Sequence, residues 1–165
     1  MLNDQRDGIF AVKINTRVRY AIRMMADIAV NGGDGTPVPL KDVAARQHLS
    51  RLYLSQLAAP LRNALLLKSV WGNKGGYALG RSAPDISLLE IIQAVDGPVG
   101  LLDCVLEPKS CDRAGFCECI DVWRDINRTV TEILERYTLQ DLIGDEVHQC
   151  PAPLVSPSPA VIHGG

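Results

Sequence analysis

The segment 40–79 carries the punctuation that most narrows the fold: two short helical patterns about a tight turn, then two strand-like runs with glycine-rich residues between them. Pro37-Val38-Pro39 is too stiff for a helix, and Leu40 to Gln47 then takes up helical spacing with Val43 and Ala44 facing inward. His48-Leu49 turns into Ser50, whose hydroxyl can accept a backbone N–H and so start a further helix that Leu52, Tyr53, Gln56, Leu57 and Leu61 continue. Two short helices joined this way describe a helix-turn-helix. Behind it, Leu67 to Trp71 and Tyr77-Ala78-Leu79 read as strands, and Gly72-Asn73-Lys74-Gly75-Gly76 can only be the loop between them. The expected fold class is mainly α with a small β-hairpin wing: a winged helix-turn-helix. Pro60 lies inside the second helix and should kink or end it.

The flanking sequence supplies the rest of the architecture. From Thr16, the residues Val18, Ala21, Ile22, Met25, Ile28 and Ala29 follow a helical period that Asn31-Gly32-Gly33 stops. Pro84 to Ser87 leads into a helix with Leu88, Leu89, Ile91, Ile92 and Val95 on an apolar face that needs a partner, closed by Asp96-Gly97-Pro98. Val122, Ile126, Val130, Ile133, Leu134 and Tyr137 trace a long helix, followed by a shorter pattern at Leu139, Leu142 and Ile143. A long helix with one apolar stripe beside a small domain suggests a homodimer. The expected organisation is a flexible extension (1–11), a winged helix-turn-helix (12–83), a connecting helix, cysteine-rich loop and dimerisation helix (84–146), and a disordered proline-rich tail (147–165). No apolar run approaches the roughly 18 to 20 residues of a membrane span, and MLNDQRDGIFA lacks a secretory pattern. A cytoplasmic protein with no membrane partner is expected.

The formal net charge of −2 does not by itself suggest a nucleic-acid partner, but the charges are segregated. Between residues 40 and 81, Lys41, Arg46, Arg51, Arg62, Lys68, Lys74 and Arg81 face the single acid Asp42. A local basic face on an acidic chain fits phosphate-backbone binding to double-stranded DNA. The N-terminal part of the second helix of the motif would meet base edges, which nominates Ser50, Arg51, Tyr53, Leu54, Ser55 and Gln56, with Arg51 and Gln56 able to read bases. Lys41, Arg62, Asn73 and Lys74 complete the candidate DNA-binding set. Charges on short helices can also be a plain solvated face, and paired glycines can merely satisfy a turn. No Walker loop follows, and no Ser-His-Asp or paired-carboxylate arrangement supports hydrolysis. No enzyme is expected.

Five cysteines in a chain without a secretory pattern argue for metal or redox chemistry rather than a disulfide framework. Cys104, Cys111, Cys117 and Cys119 have six, five and one residues between successive members, unlike the two Cys-x-x-Cys pairs common in structural zinc sites. Spacings of this kind around a glycine-containing loop allow three thiolates to wrap one face of an iron–sulfur cluster, with zinc as the less favoured ligand. Cys150 stands apart as a free thiol; His48 and His163 are not natural ligands of this loop, and His148 is a conceivable one remote in sequence.

Arg19-Tyr20-Ala21-Ile22, Pro37-Val38-Pro39-Leu40, Tyr53-Leu54-Ser55-Gln56-Leu57, Gly75-Gly76-Tyr77-Ala78-Leu79, Ile91 to Asp96, the three cysteines Cys104, Cys111 and Cys117, Trp123-Arg124-Asp125 and Thr138-Leu139 together resemble the Rrf-type family of winged-helix regulators. Its members include the regulator of iron–sulfur cluster biogenesis and the nitric-oxide-sensing repressor. The resemblance spans about residues 12 to 143 and implies a long helix that crosses its symmetry mate, and cluster ligands Cys104, Cys111 and Cys117. The fourth ligand departs from the family. Ile120 stands where the biogenesis regulator has a histidine, and Arg19 stands where other members offer an acidic residue from the partner's first helix. Cys119 is the nearest soft replacement, with Glu118 and Asp121 as harder ones. Leu65 occupies the position of the glycine that commonly closes the recognition helix, so the turn is expected to be made another way.

These readings converge on a transcription regulator, a repressor of a near-palindromic operator, controlled by an iron–sulfur cluster that senses redox state, nitric oxide or iron–sulfur status. A two-iron, two-sulfur cluster is expected ahead of a four-iron, four-sulfur one. The alternatives are an iron–sulfur electron-transfer protein and a zinc- or thiol-based redox regulator.

Overall fold

The Asn15 side chain accepts the Val18 N–H at 2.9 Å and starts helix α1, Thr16–Asn31. This helix forms the centre of the molecule in a computed structural model that describes residues 14–32, 35–72 and 74–144. The expectations for residues 1–11, Asn73, His148, Cys150 and the tail lie outside that range. Met24, Met25 and Ile28 on α1 are fully buried, and the helix packs against most of the other elements. Helices α2, Leu40–Gln47, and α3, Arg51–Asn63, form the helix-turn-helix. His48 takes a left-handed conformation between them, and the Ser50 hydroxyl accepts the Tyr53 N–H at 3.0 Å.

Two expectations concern the end of α3. Of the kink or end expected at Pro60, the end does not occur there: the helix runs through Pro60 to Asn63. The proline sits in the last turn, and its own carbonyl still accepts the Ala64 N–H at 3.0 Å. The turn that follows is made as a glycine would make it: Leu65 has φ 59°, its N–H donates to the Arg62 carbonyl, and the Leu66 N–H donates to the Leu61 carbonyl. This is the bonding of a Schellman motif, with buried Leu66 and Leu61 supplying its apolar contact.

The wing is the antiparallel pair β1, Leu67–Val70, and β2, Gly76–Leu79, in the register Leu67 to Leu79 and Val70 to Gly76. It is wider than the sequence indicates, because Val38, just before α2, pairs with Tyr77 through bonds of 2.8 and 2.9 Å. A Cβ on Gly76 would stand 2.3 Å from the Val38 carbonyl oxygen, so this glycine is required by close backbone approach.

Helix α4, Leu88–Asp96, begins in a capping box between Ser87 and Glu90 and buries Ile91, Ile92 and Val95. The cysteine segment follows as short turns: α5, Asp103–Leu106, then single 3-10 turns at Pro108–Ser110 and Ala114–Phe116. The long helix α6, Ile120–Arg136, is closed by α7, Leu139–Ile143. A bridge of two 2.8 Å bonds, Leu88 N–H to Tyr137 O and Leu139 N–H to Ile86 O, returns the chain to the start of α4. Along α6 only part of the apolar stripe meets the core: Leu134 packs against it, whereas Val122, Trp123 and Ile126 are 59%, 38% and 40% exposed. No described helix is long and apolar enough to cross a membrane.

Candidate nucleic-acid interface and thiol segment

The starts of two helices and the wing meet at one open cleft of about 690 Å³. Pro39 to Lys41 contribute from the start of α2, Arg51, Leu52 and Ser55 from the first turns of α3, and Gly75 to Tyr77 from the wing. Ser50 caps α3 from the same end, and Lys41, Ser50, Arg51, Ser55, Gln56 and Lys74 are all exposed. The helix N-terminus adds its own partial positive charge, so cationic side chains and backbone dipole act in one direction on an anion. Ser55 Oγ donates to the Leu52 carbonyl at 2.7 Å, which leaves the oxygen lone pairs free as acceptors.

The other nominees are dispersed. Leu54 is fully buried and cannot touch DNA, a correction to its nomination: it lies on the core side of α3 with Leu57 and Leu61. Tyr53 is half-buried, edge-on to Tyr20 of α1 with ring centroids 5.9 Å apart. Arg62 is exposed on the last turn of α3, about 16 Å along the axis from Arg51 at the 1.5 Å rise per residue. Asn73 lies outside the described residues.

The basic surface is also differently composed from the simple count. Arg46 forks onto the buried Asp27 of α1, with Nη2 2.5 Å from Oδ1 and Nε 3.0 Å from Oδ2, while Gln47 Nε2 donates to Oδ2 at 2.9 Å. Hydrogen bonding to Asp27 raises the Arg46 pKa further above its ordinary value, and this arginine is spent tying α2 to α1. Arg81 pairs with Glu90 at 2.6 Å. In exchange α1 offers exposed Arg19 and Arg23, stacked over the Tyr20 ring at 5.9 and 5.4 Å, and Arg23 also donates to the Gln47 carbonyl at 2.7 Å. The four-residue spacing of Arg19 and Arg23 on the polar face of α1 was the available signal for them. Two further residues escaped sequence reading because they looked like core or strand: Leu52, 72% exposed on the cleft wall, and Trp71, 92% exposed at the end of β1.

The cysteines lie at one end of α6. Cys104 is within α5, Cys111 and Cys117 each end a 3-10 turn, and Cys119 is the residue before α6. All four are free thiols, half-buried except for the exposed Cys119. As donors they have the softness an iron–sulfur centre prefers. Among the described residues, however, no three Cys, His, Asp or Glu side chains converge on a metal-sized space. The segment is fastened to α6 by Asn127 and runs directly into that helix at Cys119. Asn127 accepts the Leu101 N–H at 3.0 Å and donates to the Val99 carbonyl at 3.3 Å, and the Cys119 carbonyl accepts the Trp123 N–H at 3.2 Å.

Comparison with known proteins bears on this arrangement. The family model Rrf2, described as an iron-dependent transcriptional regulator, matches residues 14–145. The transcriptional regulator IscR of Pectobacterium atrosepticum is 36% identical over 135 residues, covering 82% of this chain and 81% of its own length. Among solved structures, IscR of T. potens superposes with a TM-score of 0.68 at 34% identity, covering 87% of this chain and 96% of that one. CymR, the global cysteine regulator of B. subtilis, gives 0.64 at 35% identity, covering 81% and 97%. These relatives are transcription regulators rather than enzymes. A winged helix whose recognition-helix N-terminus, wing and cationic side chains share one cleft, matched over most of its length, places this chain in the Rrf2 family of DNA-binding transcription regulators.

Proposed function

We propose that the chain is a cytoplasmic homodimeric repressor of a near-palindromic operator, its hold on DNA set by an iron–sulfur cluster on Cys104, Cys111 and Cys117, with Cys119 as fourth donor. The cleft between the start of α3 and the wing carries the DNA half of this reading, with Lys41, Arg51 and Lys74 as phosphate contacts and Arg51, Ser55 and Gln56 as base readers. Tyr53 and Ser50 set the pose of α3, and Arg62 would reach backbone beyond the central contacts.

The regulatory half rests on four soft thiols in one short segment and on the family's iron dependence. A bound cluster would supply a centre whose charge and coordination change with oxidation, nitrosylation or loss. Asn127 and Cys119 make α6 the element that feels any ordering of residues 102–119. The exposed Val122, Trp123 and Ile126 make α6 the natural contact with a second copy, so rearrangement there would alter the spacing or tilt of the two DNA-reading heads. A coupling of about 1–3 kcal/mol would change affinity roughly 5- to 150-fold.

A second reading, a thiol-based regulator without a cluster, is favoured by the spread of the cysteines and by the neighbour described as a cysteine regulator. Anaerobic purification followed by the visible spectrum and iron and sulfide analysis separates the two. Charge-transfer bands with matched iron and sulfide, lost in Cys104→Ala, Cys111→Ala and Cys117→Ala, are expected. Protein without iron, or with zinc alone, would transfer the cysteines to the second reading. Full occupancy in Cys119→Ala would remove it as a ligand.

A further inference from the structure

Leu52 is the second residue of α3 and is 72% exposed, yet it is not an isolated surface apolar group. It lies on the wall of the same cleft as Lys41, Arg51 and Ser55, so its isobutyl group stands among the side chains best placed to enter a major groove. The neighbouring apolar positions of α3, Leu54, Leu57 and Leu61, are all buried, which leaves Leu52 without a role in the core. Its exposure has a chemical counterpart in DNA. Thymine alone among the bases presents an apolar group, the C5 methyl, on the major-groove edge.

We propose that Leu52 is a specificity-determining residue that packs against the C5 methyl of a thymine in each operator half-site. Arg51 and Lys41 on the same cleft carry charge and bind phosphate or guanine, whereas Leu52 offers no hydrogen bond and can only select by burial of apolar surface. It therefore favours thymine over cytosine at the contacted position without contributing to the salt dependence of binding, which follows phosphate neutralisation.

The inference rests on the reading that this cleft faces DNA, and the experiment separates the two. A duplex recovered from a random pool by the full-length protein is resynthesised with uracil replacing thymine at single positions, which removes only the methyl group. Wild type is expected to lose affinity about 4-fold per methyl at one position of each half-site, the worth of one buried methyl-sized group. Leu52→Ala should bind thymine and uracil duplexes alike at that position with an unchanged salt slope, and Leu52→Met should restore the preference. Equal binding of thymine and uracil at every position by wild type, or the same preference retained in Leu52→Ala, would overturn the proposal while leaving the DNA interface intact. Failure to enrich any duplex would overturn both.

Discussion

Leu65 is held at φ 59° by the two hydrogen bonds that close α3, where a Cβ costs about 1–2 kcal/mol. Its side chain is 74% exposed, so little burial is lost by removing it. Leu65→Gly should therefore raise stability by roughly 0.5–1 kcal/mol after the extra backbone entropy of glycine is subtracted, read as a higher urea midpoint at unchanged slope. The Asp27 and Arg46 pair behaves in the opposite sense. Asp27 keeps only 3% of its side chain exposed, against 38% for Arg46. Arg46→Met strands a buried carboxylate and should cost about 3 kcal/mol, whereas Asp27→Asn leaves a guanidinium that can turn to water and should cost less, the order being checked in paired denaturation curves. Neither feature was legible in the sequence. A leucine in the place of a closing glycine suggested another turn, because the cost of the left-handed conformation is met by tertiary and cap hydrogen bonds that a local pattern does not contain. An aspartate between Met25 and Ile28 gave no sign that its partner lies nineteen residues on.

Helix ends account for the acid sensitivity of the elements. Burial pushes the Glu90 carboxyl upward, but hydrogen bonds from Arg81 and Ser87 outweigh it and hold the group below its ordinary value of 4.5. Asp141 is held below 3.8 by the Thr138 N–H and hydroxyl at the start of α7. Both carboxyls are depressed in the folded protein, so their stabilisation is fully present above those ordinary values and is lost as pH falls through the lowered ones. Thermal melts from pH 7 down to pH 3 should show a steeper acid decline for wild type than for Glu90→Gln with Asp141→Asn. In the wing, Gly76→Ala should cost about 1–3 kcal/mol by forcing Val38 away, and should weaken DNA binding through displacement of Lys41. Helices, caps and hairpin were readable because period and capping are local. The Val38 pairing was hidden because a single bridge between positions 38 and 77 leaves no periodic trace.

Among the described residues, the cationic cleft and the first half of α6 are the surfaces that the proposed function assigns to partners. If α6 pairs two copies as proposed, Ile126→Asp and Val122→Asp should shift the protein to a monomer in analytical ultracentrifugation and lower operator affinity by at least about 10-fold, because each head then binds without the second. The cleft was legible as a motif, but its membership was not. Exposed Leu52 carries the residue type of a core position, and Leu54 was nominated from its place in the chain without regard to helix face. For the cysteines, sequence spacing nominated candidate donors in one segment, and the described residues place them along short turns without bringing three to one point. In the proposed mechanism, the state of these thiols controls the cleft through α6. This control is tested most directly by measuring operator affinity of one anaerobic preparation before and after cluster removal, at fixed salt. A change of 5-fold or more, abolished in Cys104→Ala, is the predicted result; iron and sulfide lost with no change in affinity would contradict it.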